Sequence, residues 1–356
     1  MRREWRRRGV AVGVVLLAAL SACTESGEGG QGARPEDAEA GAAAGLLATT
    51  TSEAPTTTAP PTGPDGPYNV GSHTETFVDA SRPTEANNSA PALPTRTLPT
   101  LILYPAVGVP AASGEVAEAE PLVDEGPFPL VIYNHGVTAT GPVYAARMRE
   151  WAEAGYVVAA PTFPLSRGGA PGGPSIQAYR NQPEDVRFVL DELLRLDGAQ
   201  GTILSDLVDG ERIAVGGHSL GAITTLGFGF NTCCGDERVD AFLPMAGVQL
   251  PFTDGEFRFD DSVPLLLVHG DADGTVPFGG SKAVYAAASG PKHLLRLLGA
   301  PHTPFFGGPW PEVVDAGVIG FLDAYLKDRP DGLDRLRAAG SRPGVSSLQS
   351  EAEPES

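Results

Sequence analysis

The stretch ERIAVGGHSLGA, Glu211 to Ala222, decides how this chain is read. Ile213-Ala214-Val215 is an apolar, strand-like run that leads straight into Gly217-His218-Ser219-Leu220-Gly221, a G-x-S-x-G pattern, and a helix-compatible segment follows to Phe230. In a chain with 45 glycines the pentapeptide alone says little. Its placement says more, because a tight strand-to-helix turn lifts the serine hydroxyl out of the backbone at the end of a strand. The two glycines relieve crowding around Ser219, and the Leu220 N–H is expected to point at a developing oxyanion, helped by the helix N-terminus. Ser219 is thus a candidate nucleophile.

Outward from this turn, strand-like runs alternate with segments of helical periodicity, the order expected of a sheet covered by helices on both faces. Strands are predicted at 74–78, 100–104, 130–134, 156–160, 212–215, 241–245, 265–268 and 294–297. The central runs are almost continuously apolar, as parallel strands buried on both faces are. Helices are predicted over 144–154, 220–230 and 313–326, and another from Pro183, where Glu184 and Asp185 suit the first turn and Arg195 the last. The apolar stripe Val186, Val189, Leu190, Leu193 and Leu194 supports that helix. The fold class is α/β.

A serine hydroxyl is a poor nucleophile at neutral pH; it needs a base, and the base needs an acceptor to orient it. After the strand at 265–268 comes His269-Gly270-Asp271-Ala272-Asp273-Gly274-Thr275-Val276-Pro277, and after 294–297 comes Gly299-Ala300-Pro301-His302-Thr303. Both are loops at the C-terminal ends of strands, where the ligand-facing residues of such folds collect. Serine, acid, histidine is the chain order of an α/β hydrolase. Asp271 to Gly274 also invites a calcium-loop reading, which fails because the twelfth position is Lys282 where a bidentate Glu is required. Of six histidines, His302 is the best base. His73 is in the opening segment, His218 adjoins the nucleophile, His293 precedes a strand, and His135 and His269 read as structural supports.

The motifs together resemble the α/β-hydrolase branch that contains platelet-activating-factor acetylhydrolases, dienelactone-hydrolase-like proteins and cutinase-like bacterial polyester hydrolases. The resemblance spans about 68–327 and is carried by TETFVDASRP, LVIYNHGVTATGPVYAARMREWAEAGYVVAAPTFP, PEDVRFVLDELL, ERIAVGGHSLGA, CCGDERVDAFLPMAG, LLLVHGDADGTVP and GAPHTPFF. It implies an α/β-hydrolase fold with a mostly parallel central sheet and helices on both faces. It places the acid on Asp273, four residues before Pro277, and not on Asp271. It also implies that Asn134-His135-Gly136-Val137 supplies a second oxyanion donor, the backbone N–H of Val137. Adjacent Cys233 and Cys234 close only a small ring, and a vicinal disulfide and two buried thiols both remain open. The expected activity is serine-dependent carboxylic ester hydrolysis through an acyl-enzyme, with no metal or organic cofactor. No long insertion resembles a lid, so short- to medium-chain or surface-presented esters are favoured. Thioesterase, amidase or peptidase activity is the neighbouring alternative, and a non-catalytic surface-binding lipoprotein the distant one. Loops 138–144, 163–179 and 249–259, with Phe305 and Phe306, carry aromatics that either line an acyl groove or pack beneath it.

The ends read differently. An arginine-rich start, the apolar run Val10 to Leu20 and Leu20-Ser21-Ala22-Cys23 form a lipoprotein signal, 1–22, with Cys23 as the acylated mature terminus. Residues 23–66, rich in Thr, Pro, Gly and Ala, read as a disordered tether. The catalytic domain is expected at 67–328 and a disordered tail at 329–356. Lysine and arginine number 25 against 44 acidic residues, a formal net charge of −19, which disfavours nucleic acid. The expected partners are an ester substrate and a bilayer reached through Cys23, and the expected place is extracytoplasmic, lipid-anchored to a bacterial membrane, as a monomer.

Overall fold

The structure, a computed structural model, describes residues 67–259 and 263–351. The expected signal, Cys23 and the tether lie outside the described residues.

Phe128–Asn134 (β4), Val157–Pro161 (β5), Val208–His218 (β6), Ala241–Met245 (β7), Leu265–Gly270 (β8) and Lys292–Leu297 (β9) form a parallel centre in the order β9-β8-β7-β6-β4-β5. Beyond β5 the antiparallel pair Arg96–Ala106 (β2) and Asn69–Asp79 (β1) follows, with the short Val116–Ala117 (β3) parallel to β1 at the edge. Every residue of β4, β5, β7 and β8 is buried, which is why these runs show no polar alternation. Their side chains alternate between two cores instead. Phe128, Leu130 and Ile132 of β4 join one, and Val131 and Tyr133 the other.

Gln182–Asp197 (α2), Leu220–Phe230 (α3) and Gly279–Ala287 (α4) pack on the first core. Ala145–Glu153 (α1), Pro311–Leu326 (α5) and Gly332–Ala339 (α6) pack on the second. α2 begins at Gln182, one residue before the proline expected to open it. Its buried Asp185 receives two 2.6 Å bonds from the equally buried Arg96 of β2. That bidentate pair ties the β1–β2 hairpin to a helix. Among the described residues, no helix is long and apolar enough to cross a membrane.

The expectation of a disordered tail from residue 329 is corrected. α6 packs against α5, and Ser346–Glu351 (β10) pairs antiparallel with β9 to finish the sheet. β10 reads Ser-Ser-Leu-Gln-Ser-Glu, with no apolar alternation. It is an edge strand, so ladder hydrogen bonds to β9 hold it, and those leave little mark on sequence pattern.

Candidate active site

β6 ends at His218 and α3 starts at Leu220, so Ser219 alone makes the turn, at φ 57° and ψ −116°. A non-glycine residue held at positive φ stores strain that the surroundings must enforce. The enforcement comes from crowding by β4: a Cβ at Gly221 would sit 2.0 Å from the Asn134 carbonyl oxygen, and one at Gly217 2.7 Å from the same atom. Only glycine at both positions lets the turn close against the end of β4.

Ser219 Oγ lies 2.8 Å from His302 Nε2, and His302 Nδ1 lies 2.6 Å from Asp273 Oδ2. A carboxylate only accepts, so Nδ1 carries the proton and Nε2 accepts from the serine hydroxyl. The Asp273 side chain is fully buried. Burial alone would raise its pKa, but His269, His302 and the Val276 N–H outweigh that and hold the carboxyl well below the usual carboxylate range. Its Oδ1 accepts from the Thr275 and Val276 N–H groups, each at 2.8 Å. His269 Nε2 is 3.2 Å from Oδ2 and 3.0 Å from the Val276 carbonyl, while its Nδ1 meets Ser281 Oγ at 2.7 Å. Asp271 points elsewhere, to Arg296 at 2.7 Å and to the Gly299 N–H at 2.6 Å. Of the two aspartates left open by spacing, Asp273 is the one that meets His302.

Leu220, the first residue of α3, has no carbonyl within its own helix to bond. Val137 packs in the same apolar cluster as Leu220, and a Cβ at Gly136 would stand 3.2 Å from Ser219 Cβ. Leu220 thus directly follows Ser219, and Val137 follows the glycine that packs against it. His135 is buried; its Nδ1 donates to the Gly136 carbonyl at 2.8 Å and its Nε2 accepts the Phe163 N–H at 3.0 Å. Burial pushes it down to about 4, so it stays neutral and structural.

His218 was read from the sequence only as a neighbour of the nucleophile, and the structure gives it more. Its Nε2 donates to the His302 carbonyl at 2.8 Å and its Nδ1 accepts from the Tyr144 hydroxyl at 2.9 Å. Tyr144 in turn accepts the Gly136 N–H at 3.3 Å. Burial, and then the nearby His302, push His218 down to about 3. One set of hydrogen bonds thus links the Gly136 loop, the Ser219 turn and the His302 loop.

The aromatics of the flanking loops divide. Tyr179 and Phe252 pack edge to face in the cluster of Leu220, Ile223 and Cys234, whereas Phe306 is exposed at the rim, 6.0 Å from the Tyr144 ring. Cys233 and Cys234 are joined as a vicinal disulfide that belongs to the same cluster.

A serine at a strand-to-helix turn, an acid after β8 and a histidine after β9, on a parallel sheet clad by helices on both faces without a large lid, leave one architecture. The fold is that of the α/β hydrolases. Residues 97–163 match the family model of platelet-activating factor acetylhydrolase, isoform II. None of the curated proteins matches the chain. A solved structure, ferulic acid esterase from Streptomyces cinnamoneus, is similar over 76% of this chain and 94% of that one, at 23% identity and a TM-score of 0.55. The family match runs from β2 through β3, β4, the His135–Val137 loop and α1 to β5, and stops short of Ser219, Asp273 and His302.

Proposed function

We propose that this chain is a serine-dependent carboxylic ester hydrolase that works through an acyl-enzyme. The unbroken chain of hydrogen bonds from Ser219 through His302 to Asp273, with the serine held at positive φ, carries this reading. His302 Nε2 takes the hydroxyl proton as Ser219 Oγ attacks the carbonyl carbon. The Leu220 and Val137 N–H groups receive the tetrahedral oxyanion, a stabilisation of about 3 kcal/mol per donor in comparable sites. The ionised Asp273 fixes the tautomer and stabilises the imidazolium. His302 then gives its proton to the leaving alcohol, and a water deprotonated by the same nitrogen attacks the acyl-enzyme to release the acid and restore the serine.

The family matched over 97–163 and the similar solved protein are, by name, an acetylhydrolase and an esterase, which favours an ester over a thioester or amide. Without a lid insertion the site suits short- to medium-chain or surface-presented esters. Labelling with a fluorophosphonate, paired with a panel of nitrophenyl esters, tests the reading. Wild type should label and cleave short acyl chains best, and Ser219→Ala should do neither. Folded wild type that refuses the label would support the non-catalytic alternative, while faster cleavage of thioesters or amides would move the chemistry to those neighbours.

The same reading places the enzyme outside the cytoplasm, held to a bacterial membrane by acylated Cys23, on the strength of the Leu20-Ser21-Ala22-Cys23 signal. Partition into a detergent phase that Cys23→Ala abolishes is the expected outcome; equal partition of the two proteins would remove the anchor.

A further inference from the structure

A cavity of about 330 Å³ opens between the β1–β2 hairpin and the loop after β5, and neither Ser219, Asp273 nor His302 lines it. Leu93, Pro164 and Leu165 give it apolar walls, and Thr162 and Arg167 add polar ones. Thr162 is buried; its Oγ1 accepts the Gly141 N–H at 3.2 Å, which leaves its O–H to donate. Arg167 donates through Nη1 to the carbonyls of Gly168 and Gly169, at 3.2 and 3.4 Å, so its own loop holds one end of the guanidinium at the cavity wall. Among the described residues no carboxylate forms an ion pair with it, although Arg82, Arg96, Arg147 and Arg187 all have such partners. Glu85, the acid on this wall, is already held at 2.8 Å by buried Arg96. In a chain of net charge −19, a cation left without an acid beside an apolar hollow marks a place for an anion.

We propose that this cavity binds a monoanion with an apolar body: a carboxylate of roughly eight carbons, its head against Arg167 and Thr162 and its chain along Leu93 and Leu165. Backbone pairing joins the Arg167 loop to the segment after Val137. The Thr138 N–H donates to the Ser166 carbonyl at 2.8 Å and Thr138 bridges to Arg167, one residue beyond the Val137 oxyanion donor. A carboxylate is also what the proposed hydrolysis releases. That link rests on the ester reading, whereas the binding itself rests on the cavity and its charge.

Calorimetric titration of the full chain with sodium octanoate, and with octan-1-ol as the uncharged control, tests the site. Octanoate should bind at least about tenfold more tightly than octanol, since a charge-assisted hydrogen bond is worth more than a neutral one. Arg167→Gln and Leu93→Glu, the latter at a side chain 51% exposed, should each weaken octanoate about tenfold or more while melting as wild type does. Ser219→Ala should bind octanoate as wild type does. The proposal is overturned by no octanoate binding, by equal affinity for octanol, or by affinity unchanged in both cavity variants, which would place the acid in the ester site instead. Failure of the esterase reading shows in Ser219 labelling, and leaves these titrations standing.

Discussion

His218 Nε2 lies 2.8 Å from the carbonyl oxygen of His302, so the side chain next to Ser219 holds the backbone of the residue that its hydroxyl meets. The His218 and His302 rings are 4.8 Å apart, and Tyr144 carries the connection on to Gly136. Three loops that must agree to within tenths of an ångström thus share one set of hydrogen bonds. Because burial holds His218 neutral, its part in the proposed reaction is to position and not to exchange protons.

Removing this relay should loosen the attack geometry more than it weakens substrate capture. In steady-state kinetics on a short-chain nitrophenyl ester, His218→Asn is expected to lower kcat about 10- to 100-fold with little change in KM. Tyr144→Phe should show a smaller loss of the same kind. The pH profile should keep its shape, since His218 does not titrate near neutrality; a shifted profile would give His218 a proton-transfer role.

Asp273 and Asp271 stand two residues apart and should behave differently. Asp273→Asn removes the acceptor that fixes the His302 tautomer and should cost roughly 10⁴-fold in kcat. Asp271→Asn loses a half-exposed pair with Arg296, about 1 kcal/mol of stability at most, with kcat within a few-fold of wild type. Kinetics and thermal melting on both variants separate the two, and the reverse ranking would move the acid to Asp271.

Burial pushes His135 and His293 down to about 4 and His218 to about 3, against an ordinary value of 6.5. Below pH 6.5 the unfolded chain takes up protons that these folded sites refuse. Their contribution to stability is therefore complete above pH 6.5 and declines as the pH falls toward 4 and 3. Tm should drop across that window. His293 contacts Ser350 Oγ at 2.7 Å and the Tyr325 hydroxyl at 2.9 Å, away from the site, so His293→Gln should flatten the decline between pH 6.5 and 4. An equally steep decline in the variant would exclude His293 as a source.

A chain that ends at residue 340 loses β10 and exposes the edge of β9. It also strips Leu348 from Gly340, where the packing is so close that a Cβ would meet Leu348 Cβ at 2.3 Å. Circular-dichroism melting should show a lower Tm than the full chain. An unchanged Tm would mean that β10 adds nothing to the sheet.

Much of the core was legible because it is written in local pattern. Apolar runs at 130–134, 241–245 and 265–268 correspond to β4, β7 and β8, since strands buried on both faces have no reason to alternate. β1 and β2 came out short because their hairpin ends are partly polar, yet both strands run for 11 residues, held by pairing with each other. α4, α6 and β10 were absent from the sequence reading. α4 opens with Gly-Gly-Ser and β10 is polar, so both depend on neighbours for their stability more than on their own propensity.

The sequence by itself determined the turn at Ser219, because strand, glycine-flanked serine and helix are contiguous and the geometry of a few residues follows from their own backbone limits. It also determined the order of serine, acid and base, which is a property of the chain. Only the tertiary structure decided that Asp273 turns inward to His302 while Asp271 turns out to Arg296, and that His218 grips the loop of the base. Those contacts join residues 25 to 84 positions apart, brought together by the sheet order β6-β7-β8-β9. Strand pairing and two buried cores set distances of this kind, and no short window of sequence contains them.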